Sequence, residues 1–199
     1  SWVLKNIKNI RQKELCCGTI DSWLIYRLTG NFRTDYSNAS RTQLFDLQRL
    51  QWSDTLCRWF DIPPEALPAL TESNGYFGET DFDGLLDRPI PIHAVLGDSH
   101  SALYGQGCHQ PGMAKATYGT GSSIMMNTGK VLITSDAAAS SLAWCINGEA
   151  NYVLEGNINY TGGIIKWLVE DLQLLASPKE ASALAQQAKQ VDGLYLVPA

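Results

Sequence analysis

The sequence has no excess of basic residues and no long apolar run, and each absence excludes a class of protein. Its 15 Lys and Arg are outnumbered by 20 Asp and Glu. Nucleic-acid surfaces need clustered Lys and Arg, so we predict no nucleic-acid partner. No run reaches the length of about 18 apolar residues that a membrane helix needs, and no secretory leader is visible. We therefore predict a cytoplasmic protein without a membrane partner.

Paired cysteine motifs are also lacking. The five cysteines are odd in number and show no CxxC spacing, which favours free thiols in a reducing compartment over a disulfide framework. The three histidines and Cys108 all fall between residues 93 and 109. A zinc site in this stretch is the alternative to a chain without metal ligands. No ligand pair among them has the spacing of known zinc motifs, so we predict no metal ligand in this chain.

The residues that are present predict an α/β protein in two parts. Hydrophobic residues make up 45% of the chain, enough for a substantial core. Helical periodicity and caps predict helices over 18–30, 54–60, 101–107, 161–175 and 179–190. Alternation and turn residues predict strands over 90–96, 113–118, 123–127, 142–147 and 151–155, the first of them buried. The change of pattern near 107–111 predicts a boundary between domains.

The apolar faces of these helices predict which side chains are buried. Ser53 is expected to cap the helix that follows it. Large side chains on helical faces are expected in the core, with a carbohydrate-binding platform as the alternative for the tryptophans. These side chains are Trp23, Leu56, Trp59, Phe60 and Trp167. Residues 1–7 and 194–199 look like parts of packed elements, so we expect the chain to be a fragment of a longer parent protein.

Asp98 is the first candidate for chemistry. It follows an apolar run and stands in the sequence Gly97-Asp98-Ser99-His100. A carboxylate at the carboxyl end of a strand lies where α/β proteins bind substrates, and it could take a proton from a hydroxyl nucleophile as a general base. Asp is also a common N-cap, so capping of the following helix is the alternative.

Two glycine-containing segments are candidates for phosphate contacts. Gly119-Thr120-Gly121 lies between strand-like runs, where N–H groups and the Thr hydroxyl could approach phosphate oxygens. A plain hairpin turn is the alternative, and no GK[ST] sequence follows that would make a P-loop. Gly162-Gly163 opens a helix, where free N–H groups favour an anion unless the glycines only permit close packing.

Taken together, these segments resemble the FGGY family of carbohydrate kinases, and within it the glycerol-kinase-like members. The resembling stretches are 18–25, 34–42, 97–98 with 102–106, 112–115 with 117–121, 151–152 with 154–156, and 195–199. The resemblance implies an α/β fold with two actin-like domains, each with a ribonuclease-H-like core, and with ATP and substrate in the cleft between them. Residues 1–107 would end the first, substrate domain, and residues 108–199 would begin the second, nucleotide domain.

The resemblance also implies a role for each candidate residue. Asp98 would be the catalytic base, and Ser99 and His100 would bind the substrate beside it. The positions that match ATP contacts are Gly119, Thr120, Gly162 and Lys166. This chain departs from the glycerol-kinase-like pattern at Ser99 and at Lys166, where those kinases carry glutamine.

The implied function is phosphorylation of a sugar or polyol hydroxyl by the parent protein, with ATP and Mg2+ as cofactors. The substrate would be glycerol or a related four- or five-carbon polyol or sugar, and a homo-oligomer of the full-length form is left open. The family's phosphate hairpin, Mg-associated aspartate and adenine-binding segment match no part of this chain, so the chain alone is expected to be inactive. The alternatives are a non-catalytic sugar- or nucleotide-binding member of the fold and another actin-like ATPase.

Overall fold

A computed structural model of the protein describes residue 6, residues 15–189, residue 193 and residues 195–197. Its helices are α1 (Ile20–Thr29), α2 (Tyr36–Ala39), α3 (Asp54–Trp59), α4 (Asp98–Gly105), α5 (Gly162–Glu170) and α6 (Pro178–Gln187), with a 3-10 turn at Pro64–Ala66. Its strands are β1 (Arg33–Asp35), β2 (Phe45–Asp46), β3 (Gln51–Trp52), β4 (Ala69–Thr71), β5 (Gly78–Thr80), β6 (Ile90–Ile92), β7 (Ala114–Tyr118), β8 (Ser122–Gly129), β9 (Ala139–Ile146) and β10 (Glu149–Ile158). This mixture confirms the predicted α/β class.

Strands β7 to β10 form an antiparallel sheet in the order β7-β8-β10-β9. The β9–β10 hairpin turns at Asn147 and Gly148, whose φ angles of 53° and 77° suit a tight two-residue hairpin turn. The β7–β8 hairpin turns at residues 119–121, between the paired Tyr118 and Ser122. The four strands predicted in this region are therefore confirmed.

Two clusters of buried apolar side chains join the sheet to the rest of the chain. The first joins α4 to the sheet and consists of Leu103, Cys108, Met125, Ala143, Trp144 and Val153. The second joins α2 and β2 to β9 and β10 and consists of Ala39, Phe45, Leu142 and Tyr152. The sheet thereby packs against α4 through the first cluster and against α2 and β2 through the second.

Local signals placed several helix ends correctly. Helix α1 ends at Gly30, which adopts a φ of 75° as a left-handed cap. The Ser53 side chain caps α3, as predicted, and Ser177 caps α6 with Pro178 at the first helical position. A cap needs only a few neighbouring residues, which is why the sequence predicts it well.

The predicted burial of aromatic rings on helices is wrong. The exposed rings are Trp23 (55%), Trp59 (74%), Phe60 (43%) and Trp167 (40%). Helix α3 is less than two turns long, and Cys57 is its buried residue. Periodicity marks the apolar face of a helix, but it does not say which element covers that face. Among the tryptophans that the structure describes, it is Trp144, in the strand β9, that is buried.

Some predicted elements differ in extent. The strand predicted over 90–96 ends at Ile92, and Ile90 is exposed, because β6 pairs with β5 alone in a two-stranded ribbon. The helix predicted from 101 already begins at Asp98, and the one predicted to reach 175 ends at Glu170. No helix in the described ranges is long and apolar enough to cross a bilayer.

The predictions for the two chain ends can be compared with the structure only in part, because the structure describes few of these residues. Residues 195–197 are exposed and form no helix or strand, which contradicts the packed element expected there. The helix predicted over 179–190 ends at Gln187, because Ala188 adopts an extended conformation. The remainder of 194–199 and residues 1–7 apart from Asn6 lie outside the described residues.

Candidate active site

Asp98 is the first residue of α4, and its side chain is exposed. The N-cap position belongs to Gly97, so the alternative in which Asp98 itself caps the helix is not the observed arrangement. Asp98 Oδ1 accepts a hydrogen bond of 2.6 Å from the backbone N–H of Ser99. Oδ2 has no partner within the described ranges. The carboxylate is thus held by one oxygen and leaves the other open to a ligand.

A polar cavity of about 140 Å³ opens beside this carboxylate. Its lining residues are Asn38, Arg41, Gly97, Asp98, Ser99, His100 and Glu155. The cavity therefore contains the three residues that the sequence predicted for the substrate. It also contains two charged side chains, Arg41 from the segment that follows α2 and Glu155 from β10.

His100 is the most deeply buried residue that lines this cavity, with 4% of its surface exposed. Burial is the main cause that lowers its pKa to about 4, and the positive charges of Arg41 and Lys115 lower it further. The negative charges of Glu155 and Asp98 oppose this shift. The ring is therefore neutral at pH 7, and its buried Nε2 has no hydrogen-bond partner within the described residues.

An ion pair forms part of the cavity wall. Arg41 Nη1 lies 2.7 Å from Glu155 Oε2, and the Glu155 side chain is 7% exposed. Ser123 Oγ donates a hydrogen bond of 2.8 Å to the other carboxylate oxygen of Glu155. Since Ser123 is the second residue of β8, this chain of contacts connects the Asp98 cavity to the strand that follows the Gly119–Gly121 turn.

The Gly119–Gly121 turn is bound to the beginning of α5. The N–H groups of Thr161 and Gly163 both donate to Thr120 O, at 2.8 and 3.0 Å. Gly162 N donates to Gly119 O at 3.0 Å. The two glycine segments that the sequence predicted are therefore neighbours.

Gly162 is required by this close approach. A Cβ at residue 162 would lie 2.5 Å from Gly119 O, well inside contact distance. The N–H groups of Gly162 and Gly163 are already used by the turn, which agrees with the close-packing alternative for these glycines. Thr120 is exposed, and neither its N–H nor its Oγ1 has a partner in the part of the chain that the structure describes.

Lys166 lies one turn along α5 from Gly162. Its side chain is 69% exposed, and its Nζ is 3.6 Å from Glu170 Oε2. This exposed pair contributes little stability, so the ammonium group can move to another partner.

The zinc alternative finds no support in the placement of its residues. His109 stacks against Tyr104 with ring centroids 4.5 Å apart, and His93 lies against Tyr76 at 5.6 Å. Within the described ranges, no group of three or more His, Cys, Asp or Glu could hold a metal ion.

Asn38, Arg41 and Glu155 were not predicted as site residues. The first two fall in the polar stretch 34–42, and Glu155 is a single acidic residue in the apolar strand sequence Val153-Leu154-Glu155. A charge inside an apolar strand is costly to bury without a partner. That pattern is the signal that could have identified Glu155.

Comparisons with known proteins match the whole chain. Residues 1–105 match the N-terminal domain of the FGGY family of carbohydrate kinases. Glycerol kinase of Thermococcus kodakarensis is 44% identical over 202 residues, and that of Geobacter sp. strain M21 is 45% identical over 206. These alignments cover 100% of this chain but 40% and 41% of the relatives. The chain thus spans about two fifths of the length of the curated relatives it matches.

Solved structures agree on the fold. The crystal structure of Plasmodium falciparum glycerol kinase with ADP matches with a TM-score of 0.86 and 33% identity, over 94% of this chain and 39% of that one. A xylulose kinase from Rhodospirillum rubrum matches with a TM-score of 0.75 over 94% of this chain and 38% of that one, and at 19% identity it supports the fold alone. The actin-like, ribonuclease-H-like kinase fold is confirmed, and the chain belongs to the FGGY family of carbohydrate kinases.

Proposed function

We propose that the parent protein transfers the γ-phosphoryl group of ATP to a hydroxyl of a polyol or sugar, with Asp98 as the general base. The observation that carries this proposal is the position of Asp98 at a polar cavity, with Oδ1 fixed by Ser99 N and Oδ2 open. The relatives named glycerol kinase support an alcohol as the acceptor.

The proton transfer follows from this arrangement. Asp98 Oδ2 accepts the proton of the substrate hydroxyl while the hydroxyl oxygen bonds to phosphorus and the bond to the leaving ADP breaks. General-base assistance of this kind contributes about 10²–10⁴ in rate. His100, being neutral at pH 7, can hydrogen-bond a substrate hydroxyl without adding charge to the site.

ATP is proposed to lie at the Gly119–Gly121 turn. Thr120 offers an N–H and a hydroxyl to phosphate oxygens, and bound ATP would supply the phosphoryl group. The relative crystallised with ADP supports a nucleotide in this fold. At Gly162 the N–H is directed at Gly119 O, so its proposed role is to let the helix approach the turn beneath the phosphates. Lys166 is proposed to reach the nucleotide from the exposed side of α5.

Mg2+ is expected to accompany ATP. The described residues contain no group of three or more His, Cys, Asp or Glu that could hold a metal ion by themselves, and Mg2+ in such sites is commonly held by one or two carboxylates together with the substrate phosphates. No step of the proposed reaction is therefore assigned to a metal ligand of this chain.

The substrate is proposed to be longer than glycerol. Ser99 stands where the glycerol-kinase-like pattern has glutamine, and its shorter side chain leaves room beside the base. The buried Nε2 of His100 needs a partner, and a further hydroxyl of a four- or five-carbon polyol or ketose would supply one. A bridging water is the competing arrangement, and it would keep glycerol as the preferred substrate.

Substrate-dependent ADP release by the parent protein tests both statements. The panel contains glycerol and the four- and five-carbon polyols and ketoses. We expect the highest kcat/KM for one of the longer substrates, and a shift toward glycerol in the variant Ser99→Gln. Glycerol leading by about tenfold or more would overturn the substrate assignment. Ligand binding without any ADP release would favour the non-catalytic alternative.

We also infer that the 199 residues alone do not catalyse the reaction. They span about two fifths of the length of the matched relatives, and the family's phosphate hairpin, Mg-associated aspartate and adenine-binding segment match no part of them. Losing such contacts removes both positioning and charge neutralisation from phosphoryl transfer. ADP formation by residues 1–199 that depends on added substrate would contradict this inference.

A further inference from the structure

Asp35 is a fully buried carboxylate outside the cavity described above, with 0% of its surface exposed. It ends β1 and caps the four-residue helix α2. Its oxygens accept five hydrogen bonds, from Ser37 N (2.9 Å), Ser37 Oγ (2.9 Å), Asn38 N (3.0 Å), Asn38 Nδ2 (2.8 Å) and Ser73 Oγ (2.8 Å). Burial raises the pKa of Asp35, and these hydrogen bonds oppose the rise.

One arm of this network reaches the segment that carries Asp98. Ser37 Oγ donates its single proton to Asp35, so its lone pairs are left to accept from elsewhere. It accepts from Gly97 N at 3.3 Å. Gly97 is the N-cap of α4 and directly precedes Asp98. Asp35 therefore orients the hydroxyl that holds the backbone next to the proposed base.

A second arm reaches the four-stranded sheet. Ser73 Oγ donates to Asp35 and accepts from Cys145 N in β9 at 3.1 Å. The backbone of Ser73 also pairs with Cys145 O at 2.7 Å and with Val95 N at 3.0 Å. The same sheet carries the Gly119–Gly121 turn. The two arms thus tie the Asp98 segment and the sheet to one buried carboxylate.

Capping α2 does not by itself explain this arrangement. In α3 a single hydrogen bond from Leu56 N to the Ser53 hydroxyl serves as the side-chain cap. A buried carboxylate is costly to desolvate, and Asp35 is held by side-chain donors that are not needed for the helix. One of those donors, Ser73, is 38 residues away in sequence.

We propose that Asp35 is a positioning residue that fixes Asp98 relative to the phosphate turn through Ser37 and Ser73. This rests on the proposed function, in which Asp98 is the general base. A displacement of about 1 Å at a reacting group can cost about 100-fold in rate. Ser37→Ala keeps the backbone caps of α2 but removes the link to Gly97 N.

The test is a double-mutant cycle on kcat in the parent protein. Ser37→Ala is expected to lower kcat about 10- to 100-fold with KM for ATP within about twofold. In the Asp98→Asn background the same change should lower kcat by about twofold or less. A side chain that cannot accept the proton gains no rate from its correct position, so losing that position has little further effect. Ser53→Ala, which removes a cap hydrogen bond in the distant helix α3, is the matched control and should leave kcat unchanged.

The outcomes separate this proposal from the function on which it rests. An equal loss from Ser37→Ala in both backgrounds would assign Ser37 a general structural role and overturn the positioning proposal alone. Unchanged turnover in Asp98→Asn would overturn the proposed function and, with it, this inference. Ser73→Ala provides a second variant, expected to behave like Ser37→Ala. Loss of the folded state in both serine variants would mark the network as structural and overturn the proposal.

Discussion

At the scale of single residues, burial and a nearby guanidinium keep His100 uncharged at neutral pH. Its folded-state pKa of about 4 lies below the ordinary value of 6.5, so the unfolded chain binds more protons between these two values. The stability present above pH 6.5 is therefore lost as the pH falls toward 4, by up to about 3 kcal/mol. Urea unfolding at several pH values between 4 and 7 measures this loss.

The contribution of His100 is isolated by comparing variants. His100→Gln should show a flatter pH dependence than the unaltered protein, because it cannot take up the proton. His93→Gln changes an exposed histidine outside the cavity and is the matched control for the substitution itself. Groups that do not interact with His100, such as Asp35, are common to all three proteins and are expected to cancel from the difference. Parallel curves for the unaltered protein and His100→Gln would contradict the account.

Thr120 tests the phosphate turn. The change Thr120→Val keeps the shape of the side chain but removes the hydroxyl donor. If that hydroxyl bonds a charged phosphate, we expect a loss of about 1.5–3 kcal/mol in kcat/KM for ATP. Thr55→Val, on the remote helix α3, is the control and should have no effect. Unchanged ATP kinetics in Thr120→Val would mean that the turn only joins two strands.

At the scale of elements, the contact between α5 and the β7–β8 turn depends on Gly162. The change Gly162→Ala would place a methyl group 2.5 Å from Gly119 O, so the helix and the turn must separate. We expect the free energy of unfolding to fall by about 1–3 kcal/mol. Gly105→Ala is the matched control, because a Cβ there meets nothing within 4 Å and alanine favours a helix.

Thermal unfolding and ATP kinetics of the two alanine variants check this prediction. Gly162→Ala should lower the melting temperature and raise KM for ATP, since the turn is displaced. Gly105→Ala should keep both values or raise the melting temperature. Equal stability in the two variants would show that the close approach of α5 is not needed.

The elements that the sequence predicted are those with local signals. Ser53 and Gly30 act through their nearest neighbours, so a single sequence suffices to identify them. Burial was predicted less well, because exposure of Trp59 depends on which distant element covers α3. The Asp35 network could not be predicted, since its donor Ser73 is 38 residues away and Cys145, whose N–H donates to Ser73 Oγ, is 72 residues further along the chain.

The candidate site shows the same division. Asp98, Ser99 and His100 are adjacent in sequence, and the resemblance to a known family identified them together. Arg41 and Glu155 line the same cavity but come from segments more than 100 residues apart. Only folding brings them together, so their pairing and their place at the cavity became visible in the structure alone.

At the scale of the whole molecule, several polar connections join the segment before α4 to the four-stranded sheet. Among them are the Arg41–Glu155 ion pair, the bond from Cys145 N to Ser73 Oγ and the bond from Tyr152 OH to Leu47 O. The domain boundary expected near 107–111 stays a prediction. Leu103, which precedes this range, and Cys108, which lies in it, pack in the same hydrophobic cluster. The proposed base and the proposed phosphate turn are thus held on one connected framework.

The most direct measurement of this account is turnover of the parent protein with Asp98→Asn. Asparagine keeps the size of the side chain and its acceptor oxygen toward Ser99 N, so the fold and its melting temperature should be preserved. It cannot accept the proton, so substrate-dependent ADP release should fall by about two to four orders of magnitude. A folded Asp98→Asn protein that retains turnover near that of the unaltered enzyme would show that Asp98 is not the base, and would contradict the account.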